Sequence, residues 1–353
     1  MPLQHGPDLL DVRSGGFRLP AGFFPVTVCG ALYVVLGGRP RTCYHDAVAF
    51  FMTPTCRRFP GLVTLLLAVC VTTVVQAAPS VKRGVCAQQL SAEDFRALAP
   101  GVSWWYNWHF EPDAEAPDGG PEFVPMLWSD AAGLWTGLER SLERLPRPRA
   151  IMALNEPNFR PQANMTPEAS AKAWKRAKEI ADWCGVPLVG PHMAIGSSPQ
   201  DSVRSRNPRT GKEETFTWMT PYVDAFLAAL PAGSSPGRAA SGPILAVHCY
   251  GNLGELKWAV GELAKRSGGP VWVTEFNQHA SADEAAQVEY MKQAVEFLEN
   301  SPDVAGYAWF MARIKGQPKY SLLADESGRL TRLGETYVNL PTGPSAGGSG
   351  PAR

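Results

Sequence analysis

Residues 149–158, RAIMALNEPN, run apolar side chains from Ala150 to Leu154 straight into an amide, a carboxylate and a proline. A run this short is no helix, and it lacks the alternation of a half-exposed strand. It predicts a strand buried on both faces, as a parallel sheet requires. The polar group Asn155-Glu156-Pro157-Asn158 then stands at the strand's C-terminal end. Residues 270–278, PVWVTEFNQ, repeat the design and end on Glu275 and Asn277. Six more stretches read the same way: KRGVCAQ (82–88), VSWWYNW (102–108), EFVPMLW (122–128), VPLVGPH (186–192), ILAVHCYG (244–251) and VAGYAWFMA (304–312).

Between these eight strands lie helical patterns. In residues 166–185 the side chains of Ala169, Ala173, Ala177, Ile180 and Trp183 recur at the helical period, with Thr166 as N-cap, Pro167 in the first turn and Gly185 closing the far end. Residues 281–302 repeat this with Ser281 as cap and Val288, Met291, Val295 and Leu298 inward. Eight strand and helix units over about 260 residues predict a (β/α)8 TIM barrel as a single domain over residues 79–341. A doubly wound open sheet is the alternative, but no glycine-rich turn follows the first strand.

The 353 residues carry 33 basic and 33 acidic side chains and are 45% hydrophobic, which excludes disorder and gives no basic face for nucleic acid. All eleven tryptophans follow residue 100. From Met52 to Ala78 the chain has a basic pair (Arg57, Arg58), an uncharged run from Gly61 to Val75 and small residues before Pro79, the three parts of a secretory signal peptide. Residues 1–51 then read as an upstream extension of unknown role, either disordered or not translated. The alternative is that the apolar run 21–38 and the signal run together anchor the chain in a membrane. The part after Ala78 has 27 basic and 30 acidic residues and a formal charge of −3, so it reads as mildly acidic and soluble. With the signal removed, the expectation is a secreted or cell-wall-associated monomer with no stable membrane insertion. Its Cys86, Cys184 and Cys249 make at most one disulfide and no zinc site. Residues 342–353, TGPSAGGSGPAR, read as a disordered tail.

In a barrel of this kind reactive groups sit at the C-terminal ends of the strands. Those ends hold Trp104, Trp105, Tyr106, Asn107 and Trp108, then Trp128, Asn155 and Glu156, His192, His248 and Tyr250, Glu275 and Asn277, and Trp309. A carboxylate at the end of an apolar strand is costly to desolvate, so Glu156 and Glu275 are hard to explain by packing alone. Two glutamates facing each other among aromatic rings suit glycoside cleavage, one giving a proton and the other attacking or activating water. Retention requires the carboxyls ~5–5.5 Å apart, and inversion needs a wider gap. Indole faces suit the apolar C–H faces of sugars. Strand alternation sends some of Trp104, Trp105 and Trp108 away from substrate. His248 reads as a supporting or core residue, and Trp174, Trp183, Trp218 and Trp258 read as helix packing. No metal or other cofactor is called for.

The motifs RGVCAQ, SWWYNW, VPMLW, ALNEPN, VGPH, HCYG and VTEFN, in this order over roughly residues 82–340, resemble glycoside hydrolase family 128, the clan A β-1,3-glucanases. The resemblance implies a retaining hydrolase of the polysaccharide β-1,3-glucan, with Glu156 as acid/base and Glu275 as nucleophile. By the same resemblance Asn155 holds a sugar hydroxyl and Tyr250 hydrogen-bonds Glu275. Trp104, Trp105, Trp128 and Trp309 become sugar platforms, and Asn107, His192 and Asn277 polar contacts. The long charged loop 197–215 departs from the pattern and leaves the cleft's shape open. The alternatives are a glucan-binding wall protein with little turnover and a clan A hydrolase of another β-linked glycan.

Overall fold

A computed structural model describes residues 79–231, 243–278 and 283–342. The upstream extension, the signal-like stretch, Ser281 and nearly all of the glycine-rich tail lie outside the described residues. In chain order the strands are β1 (Arg83–Cys86), β2 (Trp104–Tyr106), β3 (Glu122–Phe123), β4 (Met126–Leu127), β5 (Ile151–Ala153), β6 (Leu188–Ala194), β7 (Arg204–Arg206), β8 (Glu213–Thr215), β9 (Ile244–Cys249), β10 (Val271–Phe276) and β11 (Val304–Trp309). The helices are α1 (Ala92–Leu98), α2 (Ala132–Arg144), α3 (Pro167–Cys184), α4 (Met219–Ala229), α5 (Leu253–Ser267), α6 (Glu284–Asn300) and α7 (Arg332–Asn339). None of the described helices is long and apolar enough to cross a membrane.

All eight expected strand segments form, and they pair in parallel in the order β3-β2-β1-β11-β10-β9-β6-β5-β4. The stretch 122–128 supplies both ends of that order, because Val124 and Pro125 divide it into β3, paired with β2, and β4, paired with β5. Proline has no amide to give to a ladder, so a break there is natural. The sheet is therefore strongly curled. The expected eight helices are seven among the described residues. After β2 the chain runs as a loop to Pro121, where Pro112, Pro117, Gly119 and Gly120 rule out a helical turn. The charged loop after β6 contains an antiparallel hairpin, β7 with β8.

Alternation along each strand divides the apolar residues between two cores. Val85, Trp105, Leu245 and Val247 belong to the layer between sheet and helices. Cys86, Trp104, Tyr106, Ala246 and Trp272 fill the inside of the curl. Glycine makes room for the large inner rings: a Cβ on Gly84 would stand 2.2 Å from the Trp104 ring, and one on Gly306 2.7 Å from Trp272. Thr166, Pro167 and Gly185 cap α3 as expected, Gly185 with a left-handed φ of 66°. Trp174 is buried, but Trp183 is 72% exposed and packs in neither core. The helix α6 starts from Asp283, whose side chain accepts from the Ala286 amide, and its Val288, Met291, Val295 and Leu298 are buried. Cys86, Cys184 and Cys249 are free thiols.

At the opposite end from Glu156 and Glu275, Arg83 is fully buried and ties β1 to the last elements. Its guanidinium donates to Glu299 Oε1 at 2.8 Å, to the Tyr337 carbonyl at 2.8 Å and to the Pro341 carbonyl at 2.8 Å, while Nε donates to the Tyr307 hydroxyl at 2.9 Å. Removing one member of a buried ion pair strands the other charge. Arg83→Met should therefore lower the free energy of unfolding by about 3–5 kcal/mol, read as a drop in the urea midpoint at constant slope. An unchanged midpoint would show that this network holds nothing together.

Candidate active site

Glu156 follows β5 on a strained stretch of chain, with left-handed φ at Leu154 (66°) and at Glu156 itself (43°). Such conformations cost about 1–3 kcal/mol each and persist only where surroundings fix them. Here the Asn155 amide donates to the Trp128 carbonyl at 2.9 Å and the Glu156 amide to the His192 carbonyl at 2.8 Å. The turn is thus clamped between the ends of β4 and β6.

Glu275 is aimed by a bulge. Along β10, Val273 pairs with Val247 of β9 and Glu275 with His248, so Thr274 and Glu275 together oppose one residue. A bulge re-aims side chains that strict alternation would send apart. Thr274 Oγ1 reaches His192 Nδ1 at 2.8 Å, and Glu275 also turns inward to meet three donors. The Trp108 indole donates to its Oε1 at 2.7 Å, the Tyr106 hydroxyl lies 3.2 Å from the same oxygen, and the Tyr250 hydroxyl donates to Oε2.

His248 joins the two acids. Its Nδ1 is 2.8 Å from Glu156 Oε1 and 3.4 Å from Glu275 Oε2, and one polar atom from each of the three residues lies within 4.8 Å of the others. Burial raises the pKa of Glu275; the positive charge of His248 counters this, the charge of Glu156 reinforces it, and the net effect is upward. Burial alone would lower His248, but the charges of Glu275 and Glu156 outweigh it and hold the imidazole above its ordinary value. His192 is the reverse case, pushed well below its ordinary value by burial and by its neighbour His248.

A cleft of about 960 Å³ opens over these groups. Trp128, Asn155, Glu156, Tyr250 and Glu275 line it, so the structure brings together those five of the residues expected at the site. Six others do not reach it. Trp104 and Trp309 are fully buried and Trp105 is 1% exposed. Trp104 fills the inner core beneath the cleft and donates to the Lys82 carbonyl, whereas alternation turns Trp105 outward between Phe95 and Phe123. Trp309 packs on Phe276 and Tyr337 with its indole donating to the Tyr320 carbonyl. None of the three offers a face to a sugar. Asn107, His192 and Asn277 are buried as supports: Asn107 donates to the Glu111 carbonyl and shapes the loop after β2, His192 holds Thr274, and Asn277 donates to the Phe310 carbonyl.

Residues 84–337 match the family model described as glycosyl hydrolase catalytic core. Among solved structures, the subgroup II endo-β-1,3-glucanase of glycoside hydrolase family 128 from Pseudomonas viridiflava is 37% identical, covering 75% of this chain and 100% of its own, with a TM-score of 0.61. The subgroup II enzyme from Sorangium cellulosum is 31% identical, covering 74% of this chain and 99% of its own, at 0.60. The chain belongs to glycoside hydrolase family 128. A subgroup III curdlan-specific exo-β-1,3-glucanase of the family from Blastomyces gilchristii, solved with glucose, is 28% identical over 74% of this chain and 100% of its own, at 0.57. The search of curated proteins finds no match.

This family 128 hydrolase lines its cleft with further residues that the sequence did not single out, Gln88, Phe159, Gln162, Phe310 and Met311, and with Trp218, which the sequence assigned to helix packing. Gln162 accepts a 3.1 Å hydrogen bond from the Asn155 amide and so orients it. Of Trp104, Trp105 and Trp108 it is Trp108 that lines the cleft, continuing the inward phase of Trp104 and Tyr106, and of the two readings of His248 the supporting one holds. A donor to a carboxylate favours its ionised form. Trp108→Phe removes one from Glu275 and should raise its pKa further, measured by carbon NMR titration of labelled glutamate. A fall, or no change, would mean that the indole does not hold the charge.

Proposed function

We propose that the protein is an exported endo-β-1,3-glucanase acting by retaining double displacement, with Glu275 as nucleophile and Glu156 as acid/base. The observation that carries this reading is the close approach of the two carboxyls, with one oxygen of each within 4.8 Å of the other's, which fits the short spacing of a retaining pair better than the wider gap that an inverting pair leaves for water. The three donors on Glu275 favour the ionised form that attacks carbon. Glu156, which lines the cleft, then gives its proton to the glycosidic oxygen as Glu275 bonds to the anomeric carbon, the C1–O bond breaks and the aglycone chain leaves as an alcohol. In the second half Glu156 takes a proton from water, whose oxygen displaces Glu275 and restores both groups. The His248 N–H steadies Glu156 each time it becomes a carboxylate.

The substrate class rests on the relatives named above, all described as β-1,3-glucanases, and internal cleavage on the two subgroup II enzymes. Trp108, Trp128 and Phe310 in the cleft wall fit sugar C–H faces, and Asn155 is placed to hold a hydroxyl. The placing of β3 and β4 as two pieces of one stretch supports closure of the curled sheet into a (β/α)8 barrel. Export rests on the signal-like sequence 52–78.

Glu156→Gln should cut the release of reducing sugar from laminarin by about 10²–10⁴-fold, and Glu275→Gln at least as much, with binding to insoluble curdlan kept in both. Retained hydrolysis in Glu275→Gln would remove the nucleophile assignment. Binding without turnover in the wild type would make the chain a wall-binding protein. Because attack needs ionised Glu275, whose pKa is raised, kcat/KM should begin to fall on acidification at a pH above an ordinary glutamate's ~4.3. An acid limb at or below that value would contradict this.

A further inference from the structure

We propose that Trp218 and Trp258 form a second aromatic platform that continues the cleft outward and holds a distal stretch of the glucan chain, so that Trp258 sets the preference for long chains. The proposal rests on the reading of the cleft as a β-1,3-glucan site. Both indoles lie in patterns that predict burial, yet they are 54% and 42% exposed. Single exposed apolar side chains are ordinary, but two indoles in mutual contact at the edge of a cleft mark a recognition surface.

Trp218 is shared between cleft and platform. It lines the cleft as the residue capping α4, and its backbone is fixed by a bridge to Gly196 and by the Ser197 amide, which donates to the Thr217 carbonyl at 3.0 Å. A Cβ on Gly196 would stand 3.3 Å from the indole, so that glycine lets the strand lie directly beneath the ring. Trp258 is the next step outward. It lies on α5 three positions after Glu255, a cleft residue, and positions three apart share one face of a helix. The two indoles touch edge to face, with centroids 6.3 Å apart and planes at 83°.

That angle selects among glycans. A β-1,4-linked chain is a flat ribbon whose sugar faces ask for parallel platforms. A β-1,3-linked chain turns at each linkage, so successive sugars present faces in different directions. Two nearly perpendicular indoles suit the turning chain. Ser197, Thr217 and Glu255 along the same edge offer hydrogen bonds to the sugar rim. Trp258 itself is outside the cleft lining, so the platform's effect is expected on long chains that run past Trp218 and not on short oligomers held over Glu156 and Glu275.

The test is steady-state hydrolysis of laminaripentaose and of long-chain laminarin by the wild type, Trp258→Ala and Trp258→Phe, with thermal midpoints confirming that each variant is folded. Trp258→Ala should raise KM for laminarin about five- to tenfold, leave laminaripentaose kinetics unchanged, and be largely rescued by the phenylalanine variant. Equal kinetics in wild type and Trp258→Ala on both substrates would overturn the platform, and so would equal losses on both. A wild type that cleaves neither substrate would refute the glucanase reading itself and remove the platform's ligand with it.

Discussion

Two buried carboxyls, with one oxygen of each within 4.8 Å of the other's, are the constraint on which the site depends. Both ionised and unpartnered, they would repel each other in a medium that solvates neither. The fold answers with one imidazole nitrogen touching both, and with three hydroxyl or indole donors around Glu275. The donors are unevenly shared, so two chemically identical side chains stand in different electrostatic surroundings. The strained turn at Leu154 and Glu156 and the bulge at Thr274 are the local costs of holding this geometry.

The remainder of the domain separates stability from chemistry along the strand axis. At the strands' N-terminal ends, Arg83 joins the first strand to the last helices. Above it Trp104 and Trp272 pack the inside of the curl through spaces that Gly84 and Gly306 leave open. At the C-terminal ends, irregular backbone carries Glu156, His248, Tyr250 and Glu275. This division is usual for sheets wrapped by helices, where one end is free to vary while the other keeps the chain together.

Much of this was legible in the sequence because strand burial and capping are local. The eight apolar runs, the caps Thr166 and Gly185 and the two terminal glutamates all follow from short-range rules. The fate of the tryptophans was not, because period-two alternation separates neighbours without saying which phase faces inward. Trp104 and Trp105 went to different cores and neither to the cleft. The missing second helix was foreshadowed by Pro112, Pro117 and Pro121. The bulge at Thr274 has no glycine or proline to announce it, and the bridging role of His248 depends on a contact across 92 positions of chain. Trp218 and Trp258 look like packing residues in a helical pattern, and only their exposure shows otherwise.

The most direct test of the central claim is to trap the intermediate. A 2-deoxy-2-fluoro laminaribiosyl donor with a good leaving group should inactivate the enzyme, and peptide mass mapping should locate one glycosyl adduct on Glu275. An adduct on Glu156, or inactivation with no covalent adduct anywhere, would contradict the account.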